Sequence, residues 1–167
     1  MIGLSRREIQ SRREISTPFR FGSMNDLFEA RSVTAETVRI AYALAVLAYP
    51  GLTLSAFRKE AAKTRTGVLT GIFDRRGYIH ALFRSRITTD ASGSGMMDVR
   101  DLILSDAIAA RLLNGMVAAL VRHARDKGCD EMTVTMAPSQ LGTELSMVKT
   151  LENNGFFGKA VALSRRL

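Results

Sequence analysis

Between Asp106 and Lys127 the chain repeats apolar residues at helical spacing: Ile108, Leu112, Met116, Leu120 and Ala124, with Leu113, Val117 and Val121 alongside. A stripe this wide is broader than a coiled-coil seam and must be buried against a larger apolar surface, best supplied by a sheet. Lys127 and Gly128 end the helix with a cation and a C-cap glycine. Met96–Leu104 before the helix and Met132–Met136 after it are rich in strand-forming residues. Two strands joined through one helix make a βαβ crossover.

The chain upstream supplies more sheet. Val68–Phe73 and Tyr78–Thr88 flank the turn Asp74-Arg75-Arg76-Gly77, a hairpin signal with Gly77 at the positive-φ position. Thr89–Gly95 reads by composition as a flexible loop. Leu27–Val33 is a first strand. Thr34 is expected to cap the next helix, with Thr37 in the capping-box position. Val38, Ala41, Tyr42, Ala45, Val46 and Tyr49 follow at helical spacing, and Pro50-Gly51 ends that helix. The run Ile40–Pro50 is too short to cross a bilayer and reads as a buried helix. Thr53–Thr64 is a second helix with Leu54, Phe57 and Ala61 on one face. Leu141–Asn153 is a last helix stopped at Asn154-Gly155, and Phe156–Leu163 a final strand. The order is β-α-α-β-β-β-α-β-α-β, an α/β fold with an antiparallel meander feeding a βαβ unit.

Residues 26–167 form the expected single domain, and residues 1–25 a basic arm. The arm repeats Ser5-Arg6-Arg7-Glu8-Ile9 as Ser11-Arg12-Arg13-Glu14-Ile15, a six-residue step that matches no helical face or solenoid. A mobile arm or an oligomer contact is its expected role. A chain of 167 residues with 46% hydrophobic and 24% charged residues suits one ordinary globular core. One cysteine, Cys129, excludes an internal disulfide. With two histidines and no CxxC, no metal site is expected. Met1–Ser16 holds no apolar signal core, so a cytoplasmic protein without a membrane partner is expected. The net charge is +8, and from Arg58 to Arg86 eight basic residues stand against two acidic ones, a local +6. Such charge suits nucleic acid, an anionic membrane or an anionic small molecule such as a coenzyme. No aromatic–glycine stacking motif accompanies it, so nucleic acid is not the expected partner. Phosphate-loop, dinucleotide-binding and Ser-x-Gly nucleophile motifs are absent from the sequence.

Three local features share an order and spacing. Asp101-Leu102-Ile103-Leu104 precedes the long helix, His123-Ala124-Arg125-Asp126-Lys127-Gly128-Cys129 ends it, and Leu151-Glu152-Asn153-Asn154-Gly155-Phe156 closes the last helix. Together with the element order, over about Leu27 to Leu167, they resemble the GNAT superfamily of acyl-CoA-dependent N-acyltransferases. The resemblance implies acetyl-CoA as the default acyl donor, an amine acceptor entering over the first two helices, and a homodimer. It also implies that Leu102, Ile103, Leu104 and Ser105 offer backbone to the acyl and pantetheine portion. Leu102 and Leu104 would turn their polar groups toward it. Ala109, Ala110, Arg111 and Leu112 would lie at the pyrophosphate, where a helix N-terminus makes an anion site. The sequence departs from the family here. Ile108 stands where the family has arginine or glutamine, and Arg111 and Leu113 stand where it has glycines. Asp106 adds a negative charge, and the small Ala107, Ala109 and Ala110 still permit backbone approach. The family's thiolate-protonating tyrosine aligns with Leu151.

Acyl transfer needs a base for the ammonium. Asp101 is the first candidate, and His80, in the meander, the second. Each also has a structural reading, a strand-edge ion pair for Asp101 and a half-buried ring for His80. Asp98 and Asp101 fall on opposite faces by strict alternation, unless a bulge intervenes. His123 and Cys129 read as structural, and the methionines as core. Three functions stay open: an acyl-CoA-dependent N-acyltransferase, a non-catalytic GNAT-like binding or regulatory module that has lost the coenzyme, and a nucleic-acid contact by the N-terminal arm and the Arg58–Arg86 segment.

Overall fold

The computed structural model describes residues 27–105, 110–137 and 141–156. Among the described residues nine elements appear in the expected order: β1 (Phe28–Ser32), α1 (Val38–Ala48), α2 (Leu54–Ala61), β2 (Val68–Asp74), β3 (Ile79–Thr89), β4 (Gly95–Leu104), α3 (Ala110–Asp126), β5 (Cys129–Met136) and α4 (Leu141–Asn153). The strands form one mixed sheet in the order β1-β2-β3-β4-β5. Neighbours are antiparallel except β4 and β5, which run parallel across the α3 crossover. The final strand expected at Phe156–Leu163 lies outside the described residues beyond Phe156, as do the N-terminal arm and residues 106–109.

Local chemistry accounts for the element ends. Thr34 and Thr37 exchange bonds, Thr34 N–H to Thr37 Oγ1 at 2.9 Å and Thr37 N–H to Thr34 Oγ1 at 3.4 Å. These bonds close a turn ahead of the helix, and the expectation that Thr34 caps α1 needs correction: the N-cap is Thr37, whose side chain makes no cap bond. Thr53 Oγ1 accepts from Ala56 N–H and caps α2. In the β2–β3 turn, Asp74 Oδ1 accepts from Arg76 and Tyr78 N–H at 2.9 and 3.0 Å. Gly77 has φ +85°, as the turn requires. Thr89–Gly95 is more ordered than its composition suggests. Asp90 Oδ1 accepts from the backbone N–H of Ser92 and Ser94, both at 2.8 Å, and Thr89 pairs with Gly95 to close the hairpin.

The sheet carries a core on each face. On one, the α3 stripe (Leu113, Met116, Val117, Leu120, Ala124) packs on Phe83, Met97, Val99 and Leu102, with Met147 and Leu151 of α4. Each large side chain so buried contributes about 1.5–3 kcal/mol. On the other, Val38, Ala41, Leu44, Ala45 and Ala48 of α1 and Phe57 of α2 cover Leu69, Leu82 and Ile103. The expectation that Ile40–Pro50 is a buried helix needs correction. Ile40 and Leu47 are about half exposed, and Tyr49 lies past the helix end with 39% exposure. A helix resting on one sheet face buries one stripe, whatever the apolar content of its outer side.

Gly95 opens the parallel pairing opposite Cys129. A Cβ there would come within 2.5 Å of the Gly128 carbonyl oxygen. Gly95→Ala is expected to destabilise the fold by about 1–3 kcal/mol, read as a lower midpoint in urea unfolding.

Candidate active site

β4 does not alternate regularly. Against β3, Leu82 pairs with Ile103 and Arg84 with Arg100, so Phe83 faces two residues, Asp101 and Leu102. Against β5, Val99 pairs with Val134 and Leu102 with Met136, again one residue too many on β4. Asp101 is the non-glycine residue with positive φ, +53°, among the described residues. Aspartate tolerates that region better than most side chains. The bulge changes which way the strand faces. Met97, Val99, Leu102 and Leu104 all enter the α3-side core, while Asp101 joins Ile103 on the α1–α2 side. Asp98 and Asp101 therefore share a face, contrary to strict alternation. Asp98 is occupied there by Thr133 Oγ1 at 2.9 Å and by Arg100.

Asp101 lines a cavity of about 670 Å³ between the sheet and the α1–α2 connection. The walls are largely apolar: Ala45, Ala48, Leu52, Phe57, Leu69, Leu82 and Ile103, with Tyr49, Glu60 and Arg84 at polar positions. The connection is held by Tyr42, whose hydroxyl donates to Leu52 O at 2.8 Å and whose ring lies 5.8 Å from that of Phe57. Arg84 points from β3 into the exposed end of α2. Its guanidinium donates to the carbonyls of Lys63, Gly67 and Glu60 at 3.1, 3.1 and 3.0 Å. The Glu60 carboxylate is held below its usual range by a hydrogen bond from Lys63, with Lys63 and Arg84 charge assisting. Burial raises the Tyr49 hydroxyl, and the negative charge of Asp101 raises it further. Among the described residues Asp101 has no hydrogen-bond or ion-pair partner.

The two candidate bases are not brought together. His80 Nε2 lies 3.0 Å from Asp74 Oδ2, and its ring meets Phe28 edge-on at 5.3 Å. Phe28 belongs to the α3-side core, on the opposite face from the cavity. His123 packs edge-on against Phe83, and burial lowers its pKa. Cys129 is buried, with its thiol pushed up by burial and then by Asp130. Tyr49, Glu60 and Arg84 were not singled out in the sequence. Arg84 had a usable signal, an arginine inside an otherwise apolar strand run.

The coenzyme-facing stretch is described as far as Ser105, with α3 resuming at Ala110. Pairing between β4 and β5 ends at Leu102, two residues before β4 does. The Leu102 carbonyl accepts from Ala137 N–H at 3.1 Å, so it is engaged in the sheet instead of turned to a ligand. Ser105 N–H donates to His80 O at 2.9 Å. Leu113 is buried in the core and Leu112 half-buried beside it, so the leucine standing at a glycine position does not occupy the helix N-terminus. Ala109 lies outside the described residues, as do the side chains of Ala110 and Arg111. Leu151, at the family's tyrosine position, is buried in the core.

No protein-family model and no curated protein matches the sequence. Solved structures do match the fold. An acetyltransferase of Trypanosoma brucei superposes with TM-score 0.55 at 18% identity, over 84% of this chain and 99% of that one. An aminoglycoside N-acetyltransferase bound to a bisubstrate analogue of CoA and acetylneamine gives 0.58 at 16%, over 84% and 97%. A transcriptional regulator of Bacillus halodurans gives 0.56 at 16%, over 84% and 99%. The chain thus has the GNAT fold.

Two outcomes follow from the site geometry. Asp101→Asn should stay within about 0.5 kcal/mol of the parent, because asparagine also tolerates positive φ. Asp101→Val should cost about 1–3 kcal/mol, and chemical denaturation separates the two. At the other face, burial raises the Asp74 carboxyl, but the His80 contact and the Tyr78 and Arg76 N–H groups outweigh it, for a net lowering. A lowered folded pKa stabilises above the unfolded value of about 3.9 and is lost as pH falls through the folded one. Asp74→Asn should therefore flatten the fall of melting temperature below about pH 4.

Proposed function

We propose that this chain is an acyl-CoA-dependent N-acyltransferase, with acetyl-CoA as donor and an amine as acceptor. The observation that carries the reading is Asp101, uncommitted among the described residues, at the bulge of β4 in the wall of a small-molecule-sized cavity. The cavity lies beside α1 and α2, the side from which the resemblance has the acceptor enter. Two of the similar structures are acetyltransferases, one of them captured with a CoA-containing analogue.

When bound, acetyl-CoA supplies an acyl group on a thioester. Asp101 accepts the proton that an incoming ammonium must lose before its nitrogen can attack. The largely apolar walls favour the neutral amine, while Asp101 stays open to solvent. Ile103–Ser105, past the end of the β4–β5 pairing, and Ala109–Leu112 at the start of α3 would hold the coenzyme through backbone groups. With Leu151 in the core, α4 offers no acid at that position, so a CoA thiolate would leave without a proton from α4. The reading brings with it a homodimer, as the resemblance implies.

A second reading, a non-catalytic module, is favoured by Arg111 and Leu113 standing where the family has glycines. Thermal-shift titration separates the two. A ligand at about one hundred times its Kd stabilises by about 2.7 kcal/mol, which for a chain of this size is a rise of about 5–10 °C. The acyltransferase reading expects that rise with acetyl-CoA; no rise at millimolar coenzyme supports the module. Asp101→Asn should keep the rise while lowering kcat/KM by about 10²–10⁴.

A further inference from the structure

The cavity's charges limit what it can hold. Two carboxylates, Asp101 and Glu60, stand against one guanidinium, Arg84, which leaves one negative charge in excess in the wall. Glu60 is already partnered by Lys63, with Arg84 at 4.0 Å. Arg84 is committed to three backbone carbonyls and its side chain is only 15% exposed. What remains to meet a ligand is one carboxylate, the Tyr49 and Phe57 rings, and an aliphatic wall. We infer that the cavity binds a monocationic amine with an apolar body and no anionic group, its ammonium at Asp101 and its body against Phe57, Leu69, Leu82 and Ile103.

Each part of that class follows from a named group. The ammonium has a carboxylate to pair with and aromatic walls at Tyr49 and Phe57, which attract cations through their ring faces. A second ammonium would enter an apolar region with no partner, and desolvation opposes that. A carboxylate or phosphate on the ligand would find Arg84 already bonded and would face Asp101, a like charge that repels it. Amino acids, phosphorylated amino sugars and polyamines are thereby disfavoured. The inference rests on the reading of this cavity as the acceptor site, but amine binding is measurable without any acyl donor.

Calorimetry on the full chain, with no coenzyme present, tests it through four probes. 2-Phenylethylamine is expected to bind. 2-Phenylethanol (the same body without charge), phenylalanine (the same body with an added carboxylate) and spermidine (a polycation) should each bind at least about tenfold more weakly, as expected for a lost or opposed charge contact. Asp101→Asn should weaken 2-phenylethylamine by a similar factor. Equal binding of phenylalanine or spermidine, equal binding by the Asn variant, or no binding of 2-phenylethylamine at millimolar concentration would overturn the inference. The probe comparison stands on the unaltered protein, so it holds even if the variant misfolds. If the amine binds as stated and no acetyl-CoA-dependent product forms, the acyltransferase reading fails and the binding class survives.

Discussion

The extra residue in β4 is the constraint on which the rest depends. Strands alternate their side chains, so a single inserted residue exchanges the two faces for everything beyond it. Before the bulge, Met97 and Val99 point to the α3 side; after it, Leu102 and Leu104 do. Without it, the apolar run Leu102-Ile103-Leu104 would send two leucines to the α1–α2 side and Asp101 into the α3-side core. A carboxylate buried there without a partner would be far costlier than one residue at positive φ. Burial of α3 and exposure of Asp101 to the cavity are therefore one structural event.

The sheet then divides its work between faces. The α3–α4 side is packed with large aliphatic and methionine side chains and supplies most of the apolar core. The α1–α2 side is smaller, with alanine-rich α1 leaving room near its end for a cavity where its partner would otherwise pack. Arg84 keeps that room open by tying the end of α2 and the loop after it to β3 through backbone carbonyls. His80, which in sequence looks as eligible as Asp101, spends its ring on Asp74 and Phe28 on the other side.

Some of this was legible in the residues. The α3 stripe, the Asp74–Gly77 turn, the Gly128 cap and the stop at Asn154-Gly155 are local patterns, and local sterics and periodicity decide them. The Thr34 cap was misplaced by three residues, because the chain makes a turn at Thr34–Thr37 before α1 begins. The order in the Thr89–Gly95 hairpin was not, because Ser-Gly composition hides the organising bonds to Asp90. Tyr49 counted as part of the α1 stripe, but the helix ends one residue earlier and turns it toward Asp101. Glu60 and Arg84 meet across 24 positions of sequence, and no periodicity reports such a meeting.

The sequence by itself determined the kind and order of the elements, because apolar spacing, caps and turns act within a few residues of one another. It also determined that Asp101 sits at the head of an apolar strand end beside a long helix. Only the tertiary structure decided which face Asp101 takes, since that depends on how β3 and β5 both pair with β4. It alone separated Asp101 from His80 and set Arg84 and Glu60 against each other at the cavity wall. Side-chain direction in a bulged strand is set by partners distant in the chain, and a pattern read along one strand does not contain them.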